Sequence, residues 1–173
     1  MLNALFYSFM ELQVIKVRPF AKEYLMFIYI AVKAFYSHLP IIIYALMRKN
    51  ADVIIIKLNN KVIGGFILSD LPLNIFRLKN LLSKQKRDCL WKFIKMGYRY
   101  LTYVVIDKKH RNKGYGKELF NRAKKEYNIK SYLTPFTSGL QKFYENLGAK
   151  VYHTEDGHII EGLKTPIMVF DNN

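Results

Sequence analysis

Tyr100-Leu101-Thr102-Tyr103-Val104-Val105-Ile106-Asp107-Lys108-Lys109-His110-Arg111-Asn112-Lys113-Gly114-Tyr115-Gly116-Lys117 is the stretch that decides the fold. Of its first seven residues all but Leu101 are β-branched or aromatic, which predicts a strand. A basic loop with two glycines follows. Beyond it, residues 117–127 place Leu119, Phe120, Ala123 and Tyr127 at helical spacing, with Lys, Glu, Asn and Arg on the other face. Strand, glycine loop and helix together make an anion site: glycines let the backbone turn so that successive N–H groups point inward, and the helix start adds the positive end of its dipole. Arg111, Lys113 and Lys117 add full charges. A pyrophosphate fits such a loop, although an ordinary surface turn would use glycine in the same way. The third glycine of the dinucleotide fingerprint is missing, and no Gly-Lys-Ser/Thr ends a P-loop, so neither of those nucleotide motifs applies.

The rest of the chain reads outward from this unit. Residues 12–17 alternate as a half-buried strand, and Pro19 then turns the chain. Helical patterns fill residues 21–36 and, less regularly, 41–47. Residues 53–58 and 62–68 are apolar runs around an Asn59-Asn60-Lys61 turn, which is a hairpin signature. Residues 74–96 carry Ile75, Leu78, Leu82, Cys89, Phe93 and Met96 around a charged middle and predict one or two amphipathic helices. Downstream, residues 131–135 read as a strand and residues 138–147 as a helix with Leu140, Phe143, Tyr144 and Leu147 on one face. Gly148 stands where a left-handed cap is expected. Residues 149–153 and 163–170 supply the last strands.

Composition narrows the function classes. The chain has 173 residues, 51% of them hydrophobic and 15% aromatic, enough for one substantial core and a cleft. Nothing divides it, so residues 1–173 are expected to be a single domain with an N-terminal extension over 1–11 and a helical insertion over 71–98. Cys89 is the only cysteine, which excludes an intrachain disulfide and a thiolate-rich metal site and points to a cytoplasmic protein. Residues 1–10 lack the basic start and cleavage site of a secretory signal. The apolar stretch 24–47 is interrupted by Lys33, His38 and Pro40, so two short helices are expected there rather than a membrane span. His153, Glu155, Asp156 and His158 fit no zinc spacing and read as a solvated turn, and no metal is expected. A net charge of +15 suits phosphates, whether on nucleic acid, a membrane surface or a cofactor.

Arg111-Asn112-Lys113-Gly114-Tyr115-Gly116 resembles the cofactor loop of the GNAT superfamily of N-acetyltransferases, Arg/Gln-x-x-Gly-x-Gly/Ala after a Val/Ile-rich strand, at every defined position. Phe143-Tyr144-Glu145-Asn146-Leu147-Gly148 is similar to a second segment of that family, and residues 53–68 resemble its second and third strands. The resemblance covers roughly residues 12–170 and implies an α/β (α+β) fold: a mixed, mostly antiparallel sheet of six or seven strands flanked by helices. It implies an enzyme that moves an acetyl group from acetyl-CoA to a primary amine, by direct attack in a ternary complex. Backbone amides of Asn112, Lys113, Gly114, Tyr115, Gly116 and Lys117 would then hold the pyrophosphate beside Arg111. Val104 and Ile106 would offer strand backbone to the pantetheine arm, and the sheet would splay open near Ile106. Tyr144 stands where many members place a tyrosine that protonates the leaving thiolate; it also suits a core position.

Two positions depart from the family. Some members have a glutamate base early on the strand before the loop, and Arg99-Tyr100-Leu101-Thr102-Tyr103 has no carboxylate, which leaves a water relay as one route for the proton. Thr137 replaces the asparagine that often contacts pantetheine. Expected acceptors are amines on small molecules, peptides or proteins, and a homodimer is left open. The alternatives are a non-catalytic module that uses its basic surface on nucleic acid, and acetylation of an amine carried by aminoacyl-tRNA.

Overall fold

The computed structural model describes residues 11–34, 51–70, 84–135, 137–160 and 166–171. Strands β1 (Leu12–Val17), β2 (Asp52–Leu58), β3 (Lys61–Ser69) and β4 (Arg99–Ile106) form an antiparallel meander. Strands β5 (Ser131–Leu133), β6 (Lys150–Val151) and β7 (Met168–Phe170) complete a seven-stranded sheet in the order β1-β2-β3-β4-β5-β7-β6. Only β4 and β5 run parallel, so the sheet is mixed and mostly antiparallel, as expected.

Strand alternation sends successive side chains to opposite faces, and the core divides accordingly. On one face Ile54, Ile56, Phe66 and Leu101 pack against α3 (Tyr115–Tyr127) and α4 (Ser138–Glu145) through Leu119, Phe120, Ala123 and Tyr144. On the other, Val53, Ile55, Ile67, Tyr103 and Val105 meet α1 (Lys22–Ala34) through Tyr24, Phe27, Ile30 and Ala31. That second face continues under α2 (Lys84–Lys95), where Cys89, Leu90 and Phe93 cover Tyr100, Tyr132, Ile167 and Val169. The part of the 71–98 segment that is described is thus packed on the sheet: Phe93 stacks on Tyr132 with ring centroids 5.0 Å apart. The N-terminal extension up to residue 10, the proposed helix 41–47 and the beginning of the 71–98 segment lie outside the described residues. Among the described residues no helix is long and apolar enough to cross a membrane.

Local chemistry sets the element ends. The β2–β3 turn runs through Asn59 and Asn60, both at positive φ, which asparagine tolerates better than most residues. Strand β5 stops at Leu133, shorter than the expected 131–135, because Pro135 has no N–H to continue a ladder. Helix α3 starts at Tyr115, two residues before the apolar periodicity begins, since Gly114 at φ +80 serves as its N-cap. Gly148 at φ +90 closes the turn after α4, with its N–H on Glu145 O at 2.9 Å.

Two irregularities tune the sheet. Ile67 pairs with Tyr103 but Leu68 pairs with Leu101, so Thr102 is an extra residue in β4, a β-bulge, and its hydroxyl lies 3.0 Å from that of buried Ser69. Gly64 and Gly65 sit where no side chain fits. A Cβ on Gly65 would come 2.5 Å from Ile54 O and 3.0 Å from the Phe27 ring. Gly65→Ala is therefore expected to cost about 1–3 kcal/mol through overpacking, read as a fall in the thermal midpoint; an unchanged midpoint would show that α1 is not seated on this hairpin.

Candidate active site

The cofactor-type loop is built by three short-range devices. Asp107 N–H donates to Ile63 O at 2.8 Å, which carries the β3–β4 pairing past the strand end. The Asp107 carboxylate accepts from Lys109 N–H at 3.2 Å and caps a single 3-10 turn, Lys108–His110. Arg111 then folds back, its Nε donating to Ile106 O at 2.8 Å, and ties the loop to the last residue of β4. Sequence reasoning places Arg111 beside a phosphate; this staple role was not legible in the motif.

Beyond Arg111 the backbone turns through Asn112 (φ +60) and Gly114 (φ +80). The first bond of α3 runs from Glu118 N–H to Gly114 O at 3.0 Å, so the amides of Tyr115, Gly116 and Lys117 have no acceptor inside the helix. A Cβ on Gly114 would meet nothing within 4 Å, and the loop is open to a ligand at that point. Gly116 is different: its Cβ would stand 3.4 Å from the Phe143 ring, so the loop lies close against α4. Lys113 and Asn112 are exposed beside these amides.

The second part of the site is a gap in the sheet. Strands β4 and β5 pair only at Arg99↔Ser131 and Tyr100↔Tyr132. From Leu101 to Ile106, β4 continues without β5 beside it, and among the described residues its backbone groups on that edge have no strand partner. Val104 and Ile106 belong to this edge, which runs toward the loop.

Tyr144 belongs to the core on the face of α3 and α4. Its ring packs on Phe120, Phe143 and Phe170 at centroid distances of 6.2, 5.3 and 6.3 Å, and burial pushes its phenol well above the ordinary tyrosine range. The hydroxyl also senses that of Tyr100, which lies on the opposite face of the sheet. Tyr100 donates to or accepts from Thr134 Oγ1 at 3.2 Å, just past the end of β5. Burial raises Tyr100 too, against the lowering effect of that bond, and Tyr103 is pushed up to about 12 by burial and then by Tyr100. Tyr132, fully buried, has a hydroxyl with no partner in the structure. The phenols of Tyr103, Tyr132 and Tyr144 are each raised first by burial and then by Tyr100, itself the last residue of β4 to pair with β5. Tyr144 alone was singled out from the sequence; the others were missed because tyrosines in a strand read as packing.

Thr137 sits at the N-cap of α4, where its exposed side chain accepts from Leu140 N–H at 3.2 Å. Its oxygen is therefore occupied in starting the helix. The His153–His158 segment forms a tight turn, with Thr154 Oγ1 bonded to both N and O of His158 at 3.0 and 3.2 Å and Lys92 of α2 paired with Glu155 at 2.7 Å. On the α1 face, next to the loop, a cleft of about 310 Å3 is lined by Tyr29, Lys33, Ile106, Lys108, Lys109 and Arg111 among others. Among its described lining residues Lys33, Lys108, Lys109 and Arg111 stand with the carboxylate of Asp107.

No curated protein matches the chain. Its fold is similar to that of Tetrahymena GCN5, with a TM-score of 0.60 at 14% identity over 92% of this chain and 94% of that one. The catalytic domain of the same histone acetyltransferase in complex with coenzyme A superposes with a TM-score of 0.52 at 14% identity, covering 93% and 92%. An acyl-CoA N-acyltransferase from Pseudomonas aeruginosa gives 0.54 at 12% identity, covering 92% and 97%. At the level of sequence, the description "acetyltransferase (GNAT) domain" matches residues 49–148, a span that runs from β2 through α4 and takes in the loop, the gap and Tyr144. That span is more than half of the chain, and the chain belongs to the GNAT acetyltransferase family.

Proposed function

We propose that the protein is an N-acetyltransferase that uses acetyl-CoA and a primary amine acceptor, bound together. The observation that carries this reading is the junction of the two site components: an amide-lined, cationic helix start and an unpaired edge of β4 leading away from it. A pyrophosphate suits the amides of Tyr115, Gly116 and Lys117, with Lys113 and the terminal nitrogens of Arg111 as counter-charges. The amide-bearing pantetheine arm suits the edge of β4 at Val104 and Ile106, which can bond it as a strand bonds its neighbour, although the Ile106 carbonyl already accepts from Arg111 Nε. The thioester supplies the acetyl group and, once its C–S bond breaks, a thiolate that must be protonated. Tyr144 is the donor for that proton. Burial raises its pKa, so the phenol meets the developing thiolate protonated, as a hydrogen-bond donor whose proton passes over as charge builds on sulfur.

A second reading has its own support. The cleft with Lys33, Lys108, Lys109 and Arg111 beside an exposed Tyr29 suits a phosphate-bearing acceptor such as an aminoacyl-tRNA, because cations with a stacking ring are what single strands bind. A thiol-release panel containing spermidine, a peptide with a free α-amine, a lysine peptide and aminoacyl-tRNA separates the two readings.

Acetyl-CoA is expected to raise the melting temperature, since it binds only the folded state. Gly114→Asp should remove that shift by placing a carboxylate at the phosphate position, where the added side chain has room but also a strained φ. Undiminished binding by Gly114→Asp would show the loop is not the phosphate site.

Tyr144→Phe is expected to lower kcat on the order of 100-fold while the acetyl-CoA dissociation constant stays within a few-fold. Loss of stability alone, with parental turnover, would make Tyr144 a core residue only.

A further inference from the structure

The acceptor amine arrives as an ammonium ion and must lose a proton before it can attack, yet β4 carries no carboxylate. The sheet gap offers something else. Tyr100 is the last residue of β4 that pairs with β5, so its side chain stands at the apex of the gap. Its hydroxyl is bonded to Thr134 Oγ1 at 3.2 Å, and Thr134 is half-buried, with access to solvent. Tyr144 senses the same hydroxyl from the far face. The two phenols belong to core clusters on opposite faces of the sheet.

We propose that Tyr100 and Thr134 form the proton exit for the acceptor, a reading that rests on the acetyltransferase activity proposed above. The ammonium N–H bond breaks toward Tyr100 Oη as the phenol's own proton moves to Thr134 Oγ1. The proton of the Thr134 hydroxyl then passes to a solvent water. The amine keeps its electron pair for the new N–C bond, the phenol and the alcohol end as they began, and one proton has reached solvent. Tyr144 acts at the other end, on the thiolate, so the two protons of the reaction use different groups on different faces.

The other titratable groups around Tyr100 are the phenols of Tyr103, Tyr132 and Tyr144, with Cys89 of α2 and Asp70 at the end of β3 acting on Tyr132. Asp70 is the rival base. It is held by Arg99, Nε to Oδ1 at 3.6 Å.

The test is the pH dependence of kcat/KM for the best amine of the panel, spermidine by default, in the parent protein, Tyr100→Phe, Thr134→Val, Thr134→Ser and Asp70→Asn. With the path intact the ammonium is deprotonated in the site, so activity rises at a pH below the amine's own pKa. Tyr100→Phe should lower kcat/KM at pH 7 by about 10- to 100-fold. That loss should shrink as pH climbs toward the pKa of the free amine, because the neutral amine is then supplied by solution. Thr134→Val should show the same pH-dependent loss and Thr134→Ser should restore it, while the melting shift with acetyl-CoA persists in every variant. A parental profile in Tyr100→Phe overturns the proposal, as does a profile moved by Asp70→Asn alone. A parent that shows no melting shift and releases no thiol with any amine overturns the acetyltransferase reading and takes this inference with it.

Discussion

The constraint on which the site depends is the early end of the pairing between β4 and β5. Strand β5 is three residues long and pairs with β4 at only two positions, while β4 runs on to Ile106. Pro135 cannot donate to a longer ladder, and α3 and α4 pack against the sheet on the same side of the opening. The cost is a row of backbone groups on β4 without strand partners among the described residues, which a protein tolerates where something else satisfies them. A ligand with its own amides is the natural candidate, and the gap leads to a helix start whose first amides are also unsatisfied. Two sets of orphan groups, one along a strand and one at a helix terminus, are thus arranged in a line.

That opening also explains why the sheet's two faces cannot be treated as independent cores. Tyr144 belongs to the aromatic cluster of Phe120, Phe143 and Phe170, whereas Tyr100 belongs to the cluster under α2 with Phe93 and Tyr132. Each ring is fixed by its own packing, on opposite faces of the sheet. Rigid aromatic walls suit this arrangement because a buried ring has few rotamers and holds its oxygen in place. The charged residues stay outside: Lys16, Asp52, Arg99 and Asp70 make their ion pairs at the other end of β4, away from the loop.

Much of this was legible in the sequence because local chemistry and tertiary fold agree. Alternation in residues 12–17, the Asn59-Asn60 turn, the β-branched run before the loop and Gly148 each name their element without help from packing. Element ends were less legible. The two-residue offset at the start of α3 comes from Gly114 acting as N-cap, and periodicity of apolar residues cannot register a cap that has no side chain. The candidate site was legible only where it is a motif. Arg111 is visible as a charge, but its bond to Ile106 O depends on how the 3-10 turn redirects the chain. Tyr100 and Thr134 are 34 residues apart, and nothing in either neighbourhood announces their bond.

The bulge at Thr102 shows how one surplus residue sets which chemistry faces which partner. Val105 and Tyr103 point to the face of α1; in a regular strand Leu101 would follow them, and Tyr100 would turn to the side of α3. The extra residue reverses this order, so that Leu101 joins the core under α3 and Tyr100 reaches the face of α2. Side-chain exchange at position 100 can therefore alter the chemistry at the apex while the edge at Val104 to Ile106 keeps its register. Loss of a single residue at the bulge would do the opposite, keeping the amino acids of the strand but handing position 100 to the wrong side. The apex thus tolerates a change of side chain without moving the edge, whereas a change in the length of β4 would move both.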